Sequence, residues 1–430
     1  MSSHAFTLLF VFFLAATLAV RLWLALRHMR HVNAHRGSVP AQFAEKVPLP
    51  AHQKAADYTV EKTRFGLIML LVNALVLLGF TLFGGLQWLS GHVLALTGPG
   101  MTQQIGLLAA FAVISGIVDL PFSYYSQFVL EEKFGFNKMT LKLFIIDMIK
   151  GSVLGAAIGL PLAWVILTLM DKTGSWWWLY AWVFWSLVQL LMLVLYPTVI
   201  APLFNKFTPL ADDGLRARIE ALMKRVGFAA KGLFVMDGSK RSAHGNAYFT
   251  GFGKAKRIVF FDTLLSSLDP VEIEAVLAHE LGHFKLKHVI KRMALSFALS
   301  LGFLWLLGYL KGQPWFYAGL GVDPALGNNA MALLLFMLAL PVFTFFFSPL
   351  MSISSRKHEF EADAFASQYA DAHALASALV KMYGDNASTL TPDPLHSAFY
   401  DSITACPGAV DLMPTWSPTA TSLFLPRVTQ

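Results

Sequence analysis

The chain has a single cysteine, Cys406, in 430 residues. It can therefore form no internal disulfide and offers no thiolate cage, so any transition metal must be held by histidine and carboxylate. Charge is also scarce: Asp, Glu, Lys and Arg make up 14% of the chain, against 56% hydrophobic residues. That balance, with a mean hydropathy of +0.57, excludes an ordinary soluble globular protein and puts most of the chain in lipid. Repeats of fixed period and low-complexity tracts are missing too, which excludes a solenoid or a linker-rich scaffold. The net charge of +7 does not point to a nucleic-acid partner. The basic residues cluster beside apolar stretches, as they do in cytoplasmic loops of membrane proteins.

Seven apolar runs, near 5–26, 66–89, 104–121, 151–170, 176–201, 293–310 and 330–350, are long enough for a bilayer crossing of about 20 residues. The first lacks a basic leader and is followed by Arg27, Arg30, Arg36, Lys46, Lys54, Lys62 and Arg64. It reads as a retained helix with its C-terminal end inside and the N-terminus outside, not as a cleaved signal. Residues 90–103 carry no Lys or Arg, whereas 131–142 contain Lys133, Lys138 and Lys142, which agrees with that orientation and makes 202–290 cytoplasmic. Trp176, Trp177 and Trp178 open the fifth run, where indoles favour the headgroup layer, although packing between helices would suit them too.

Between the fifth and sixth runs the pattern changes. Leu215, Ile219, Leu222, Met223 and Val226 recur at helical spacing, while Leu233–Met236, Asn246–Thr250 and Arg257–Phe261 are short β-rich runs punctuated by Gly and Asp. This predicts a small α+β unit inserted between membrane helices. A further helix should start at Asp269, with Pro270 in its first turn and Glu272 in capping-box register.

That helix carries His279-Glu280-Leu281-Gly282-His283. Histidines at i and i+4 project from one face about one turn apart, so both imidazoles can reach one Zn2+ ion. Glu280 is not needed as a ligand. Beside the metal it can take a proton from water that zinc acidifies to a pKa of about 7, then pass it to the leaving amine. The five-residue pattern alone arises by chance at roughly one in 10⁴ positions, so context must decide. A catalytic zinc usually takes a third protein ligand. Val289 occupies the place of the third histidine in the longer zincin motif, and His288 falls one residue short, on a different face, and reads as a polar residue at the helix end. Glu359, in Ser355-Arg-Lys-His-Glu-Phe-Glu-Ala-Asp363, fits the third role. Asp363, at i+4 from Glu359, can accept the outer N–H of a metal-bound histidine. The two predicted spans between His283 and Glu359 return the chain to the same side. His358 and Glu361 point away from the 359/363 face. An intramembrane protease with its motif in a purely apolar span does not fit, because Glu272, Glu274, Lys285 and Lys287 surround this one.

At this point the sequence resembles the type I CAAX prenyl protease family of multi-spanning membrane zinc proteases. The likeness is carried by Pro121-Phe-Ser-Tyr-Tyr125, Val129 to Lys138, Ile200 to Leu210, Ser239 to Phe249, Lys256 to Leu265, Ala278 to His283 and Ser355 to Ala366. The resemblance implies a mainly α integral membrane fold, in which seven transmembrane helices form a chamber around an inserted α+β zincin-like domain, with the site on the cytosolic side. It implies His279, His283 and Glu359 as metal ligands, Glu280 as base and Asp363 as the carboxylate behind a ligand. Asn246, Ala247 and Tyr248 resemble the edge strand on which zincins lay substrate backbone; His244 is left unassigned. The implied partners are the bilayer and the C-terminal end of a peptide or protein, prenylated if of the CAAX kind. The implied membrane is the endoplasmic reticulum in a eukaryote or the inner membrane in a bacterium. On this reading 1–201 holds five spans, 202–290 the catalytic segment, 291–350 the last two spans, 351–402 the third-ligand helix and its completion, and 403–430 a divergent tail.

One departure matters. After Asp393-Pro-Leu-His-Ser-Ala-Phe-Tyr-Asp-Ser402 the family typically continues His-Pro-Pro, whereas Ile403-Thr-Ala-Cys-Pro-Gly408 follows here. That histidine resembles an oxyanion donor, whose loss costs about 10²–10³ in rate. A catalytically impaired paralogue that uses its chamber for binding or quality control is therefore the alternative. A receptor or transporter would require the metal motif to be accidental.

Overall fold

The computed structural model describes residues 1–230, 232–250 and 257–401. The altered segment after Ser402 lies outside them.

Seven helices among the described residues are long and apolar enough to span a membrane: Ser3–His35, Leu49–Phe80, Met101–Lys133, Leu141–Lys172, Gly174–Phe204, His288–Leu310 and Asn329–Tyr369. The first two, α1 (Ser3–His35) and α2 (Leu49–Phe80), extend well beyond their apolar runs. Their polar ends are tied by Arg36, whose guanidinium donates to both oxygens of Asp57 at 2.7 and 2.8 Å.

The second run does not continue to 89 as its hydrophobicity predicts. The Thr81 hydroxyl donates to the Leu77 carbonyl at 2.6 Å and Gly84 takes a left-handed φ of 78°. The chain therefore breaks and restarts as α3 (Gly85–Thr97). Apolar composition does not register such a turn, because every residue in it suits lipid.

Packing is concentrated at one end of the bundle. Phe6, Phe10 and Leu14 at the start of α1 meet Leu107, Leu167, Leu307 and Leu335 near the corresponding ends of four other spans. Trp177 belongs to this core, 3% exposed, with the Lys311 ammonium over its ring, whereas Trp176 is 59% exposed. The tryptophan triplet thus divides between packing and surface. The second to sixth spans bury only 6–11% of their apolar windows, against 28% for the first and 50% for the seventh. Helices with so little protein against them form an open wall rather than a solid bundle.

The inserted unit has a four-stranded sheet: β1 (Phe207–Pro209), β2 (Gly232–Met236), β3 (Ala247–Thr250) and β4 (Arg257–Phe261). The order is β1-β2-β4-β3, with β2 and β4 parallel and both outer strands antiparallel. β1, three residues ending in proline, carries no strand signal in the sequence. The amphipathic helix Asp213–Val226 is capped by the Asp212 side chain and closed by Gly227 in the left-handed region. It packs Ile219 and Leu222 on Ile258 and Phe260 of the sheet and on Leu277 and Leu281 of the next helix. That next helix, Pro270–Lys285, carries the motif, and the Glu272 carboxylate accepts the Asp269 N–H at 2.9 Å, as the capping box requires.

Arg241 fastens the unit to the membrane bundle. Its guanidinium donates to both Asp147 oxygens in the fourth span at 2.9 and 3.2 Å, to Asn205 at 2.9 Å and to the Phe204 carbonyl at 2.6 Å.

Candidate metal centre

Two helices build the site. The motif helix crosses the helix Ser348–Tyr369, which continues the seventh span beyond a short 3₁₀ turn at Phe345–Phe347. Their contact is close at Gly282. A Cβ there would lie 3.0 Å from the Ala362 Cα, 3.1 Å from its carbonyl oxygen and 3.1 Å from the Phe365 Cβ. Glycine at the fourth motif position is therefore a packing requirement, and it lets side chains one turn away on each helix meet.

His279, His283 and Glu359 converge there. The two Nε2 atoms are 3.2 Å apart, and each lies 3.4 Å from Glu359 Oε2. Donors about 2.0–2.1 Å from a tetrahedral zinc stand about 3.3–3.4 Å from one another, so the spacing fits a single small cation. The donor chemistry fits as well: two imidazole lone pairs and a carboxylate oxygen facing one another repel unless a positive charge lies between them. Burial opposes charge on His279, but hydrogen bonds to Asp363 and Glu359 outweigh it and push the imidazole up to about 10.

The outer faces of both imidazoles are occupied. His279 Nδ1 is 2.7 Å from Asp363 Oδ1, so the carboxylate at i+4 from Glu359 meets the histidine as the sequence spacing suggests. His283 Nδ1 lies 2.9 Å from Nδ1 of His288, a contact the helical wheel did not foresee. Lys287 adopts φ 58° between the motif helix and the sixth span, and this turn swings His288 back over His283. No residue type flags it, since lysine has no preference for that conformation. His358 and Glu361 stay out of the trio, as their helical direction indicates, and lie instead against His288.

Glu280 is half-buried next to the two imidazoles. Burial pushes its carboxyl up, against the pull of His279 and His283. A carboxylate of raised proton affinity beside a cation site is suited to accepting and returning a proton.

The edge strand lies over the same core, with Ala247 and Phe249 packed against the cluster containing Leu277 and Leu281. Among the described residues β3 pairs only with β4, which leaves its other edge open to a further strand. Asn246 immediately precedes it, exposed, with its carbonyl accepting from the Phe261 N–H at 3.0 Å. His244 Nδ1 donates to Asn386 Oδ1 at 3.1 Å, and its ring stacks on Phe136, 4.6 Å between centroids. It thus belongs to the support of this strand.

Comparison with known proteins agrees with this architecture. A family model described as "CAAX prenyl protease N-terminal, five membrane helices" matches residues 28–206, and one described as "Peptidase family M48" matches 209–415. The chain belongs to the M48 CAAX prenyl protease family. It is 36% identical over 405 residues to CAAX prenyl protease 1 of Saccharomyces cerevisiae, covering 88% of each chain. It is 40% identical over 362 residues to the CAAX prenyl protease 1 homolog of Arabidopsis thaliana, covering 81% of this chain and 84% of that one. The crystal structure of S. mikatae Ste24p superposes with a TM-score of 0.89 at 33% identity, covering 95% of this chain and 99% of that one. The protein is thus a multi-pass membrane metalloprotease with the chamber fold of this family and a peptide or protein substrate. The binding-only alternative is not favoured by these relatives.

Proposed function

We propose that the protein is a zinc metalloendopeptidase acting on C-terminal segments of proteins from the cytosolic side of the membrane. His279, His283 and Glu359 hold the zinc, and Asp363 fixes His279 with its proton on Nδ1, leaving Nε2 free to bind. The observation that carries this reading is the spacing of three donor atoms at tetrahedral edge lengths, 3.2, 3.4 and 3.4 Å. When bound, zinc supplies a Lewis acid that polarises the scissile carbonyl and makes water acidic enough to react near neutral pH. Glu280 takes the proton of the attacking water and gives it to the nitrogen of the departing peptide. Asn246, Ala247 and Tyr248 receive the extended substrate backbone along the open edge of β3. The relatives are named CAAX prenyl proteases, which supports a prenylated CAAX end as the substrate. The basic residues that follow α1 support the cytosolic orientation.

The test is cleavage of a farnesylated CAAX peptide and its unprenylated twin by detergent-solubilised protein, wild type against Glu280→Ala, with zinc assayed in parallel. Glu280→Ala should keep its fold and one zinc per chain while cleavage falls by about 10² or more. Equal cleavage by the variant defeats Glu280 as base, and equal cleavage of both peptides defeats the prenyl requirement.

A further inference from the structure

His288 carries an unexplained arrangement. Its side chain is fully buried, and both its ring nitrogens are engaged: Nδ1 with His283 Nδ1 at 2.9 Å and Nε2 with Glu361 Oε2 at 2.9 Å. The protons on this chain can be assigned. If His283 offers Nε2 to the metal, its Nδ1 must carry hydrogen and donate to His288 Nδ1. That nitrogen then has no proton, so the hydrogen of a neutral His288 sits on Nε2 and points at the Glu361 carboxylate. Each contact has one donor and one acceptor, and only this tautomer pair satisfies them all.

We infer that His288 is a positioning residue for the metal site, relaying the Glu361 carboxylate to the outer nitrogen of His283 as Asp363 serves His279 directly. The inference rests on the proposed metal assignment. It explains the left-handed backbone at Lys287, φ 58°, a conformation unfavourable in a non-glycine residue. The turn is what brings the histidine five positions after His283 onto its ring. The relay also differs chemically from its counterpart: His279 faces an anion, whereas His283 faces a neutral imidazole polarised by one.

His288, His358 and Glu361 also lie close enough together to suggest a second cation site. Ring geometry argues against it. The His288 and His358 rings are stacked 4.2 Å apart at 15°. A metal must lie near the plane of each imidazole it binds, about 2.0–2.1 Å from nitrogen, and two nearly parallel planes at that separation share no such point. His358 therefore covers His288 and leaves the relay as the use of its nitrogens.

The experiment is zinc release from the full-length protein to a chromogenic chelator, together with the visible spectrum of the cobalt-substituted protein. His288→Phe keeps the ring volume and the stack on His358 but removes both polar contacts. It should release zinc about 10–100-fold faster and shift the cobalt bands. His288→Asn places an amide oxygen near the Nδ1 position but cannot reach Glu361, and should recover part of the loss. Wild-type release and spectrum in His288→Phe would overturn the relay, as would His288→Asn behaving no better than His288→Phe. If His288→Phe does not fold, Glu361→Leu decides: faster release supports the relay and unchanged release refutes it. Wild-type protein without stoichiometric zinc would instead defeat the metal assignment itself.

Discussion

Replacing Gly282 by alanine tests how the site is held together. The added Cβ would stand 3.0 Å from Ala362 Cα and 3.1 Å from Ala362 O and Phe365 Cβ. Ordinary carbon contacts are about 3.5–4.0 Å, so the two helices must separate by roughly 0.5 Å at the crossing. Glu359 lies one turn before Ala362 on the receding helix. Its Oε2, now 3.4 Å from both Nε2 atoms, would move to about 3.9 Å, more than the roughly 0.2 Å latitude of a metal–ligand bond absorbs. Alanine gains about 1 kcal/mol of helix propensity over glycine, while overpacking costs about 1–3 kcal/mol. The net loss of stability is thus about 0–2 kcal/mol, whereas zinc affinity should fall about 10–100-fold. Zinc retained against graded chelator, alongside thermal unfolding of the metal-free protein, separates the two effects. Because the clash is with backbone and Phe365, adding Ala362→Gly should not relieve it. Zinc affinity within twofold of wild type in Gly282→Ala, or rescue by Ala362→Gly, would refute the reasoning.

Asp363→Asn should keep the fold and weaken zinc binding about 10–100-fold, measured by competition with a chelator. Arg241→Ala strands Asp147, whose side chain is only 15% exposed, and should destabilise the protein by about 3–5 kcal/mol; thermal unfolding should show part of this recovered in Arg241→Met with Asp147→Leu, the bonds to Asn205 and the Phe204 carbonyl being lost in both. Glu272 is buried, which would raise its carboxyl, but Lys381 at 2.8 Å and the Asp269 N–H outweigh that and hold it below the ordinary range. A depressed folded value means its stabilisation is present above about pH 4.5 and lost as pH falls through the lowered value. Glu272→Gln should therefore melt lower than wild type at neutral pH and approach it in acid, as melting temperature against pH will show.

The convergence of His279, His283 and Glu359 was legible because two local rules and one global one coincide on it. Spacing of i, i+4 joins the histidines on one face, the same spacing joins Glu359 to Asp363, and an even number of intervening spans returns the second helix to the first. Two helices of the small unit were legible from their period and caps, and three of its strands from short β-rich runs bounded by Gly and Asp rather than from alternation, since β4 buries three consecutive residues. What escaped was set by single backbone torsions or by tertiary competition. Thr81 and Gly84 break an apolar run without any loss of hydrophobicity. Trp177 is claimed by a core that composition does not reveal. His288 reaches His283 only because Lys287 takes a conformation its residue type does not favour.

These exceptions share a cause that bears on the site. A periodic pattern describes a helix up to its end, and the contacts that matter here form across an end: at Lys287, where the motif helix gives way to the sixth span, and at Phe345–Phe347, where the seventh gives way to the helix of Glu359. At both junctions a helix that suits lipid meets one that carries charge. The membrane spans therefore fix the directions of the two site helices, and the close crossing at Gly282 fixes their distance. Three donor atoms held at a cation's spacing follow from those constraints together, and neither junction is visible in hydropathy alone.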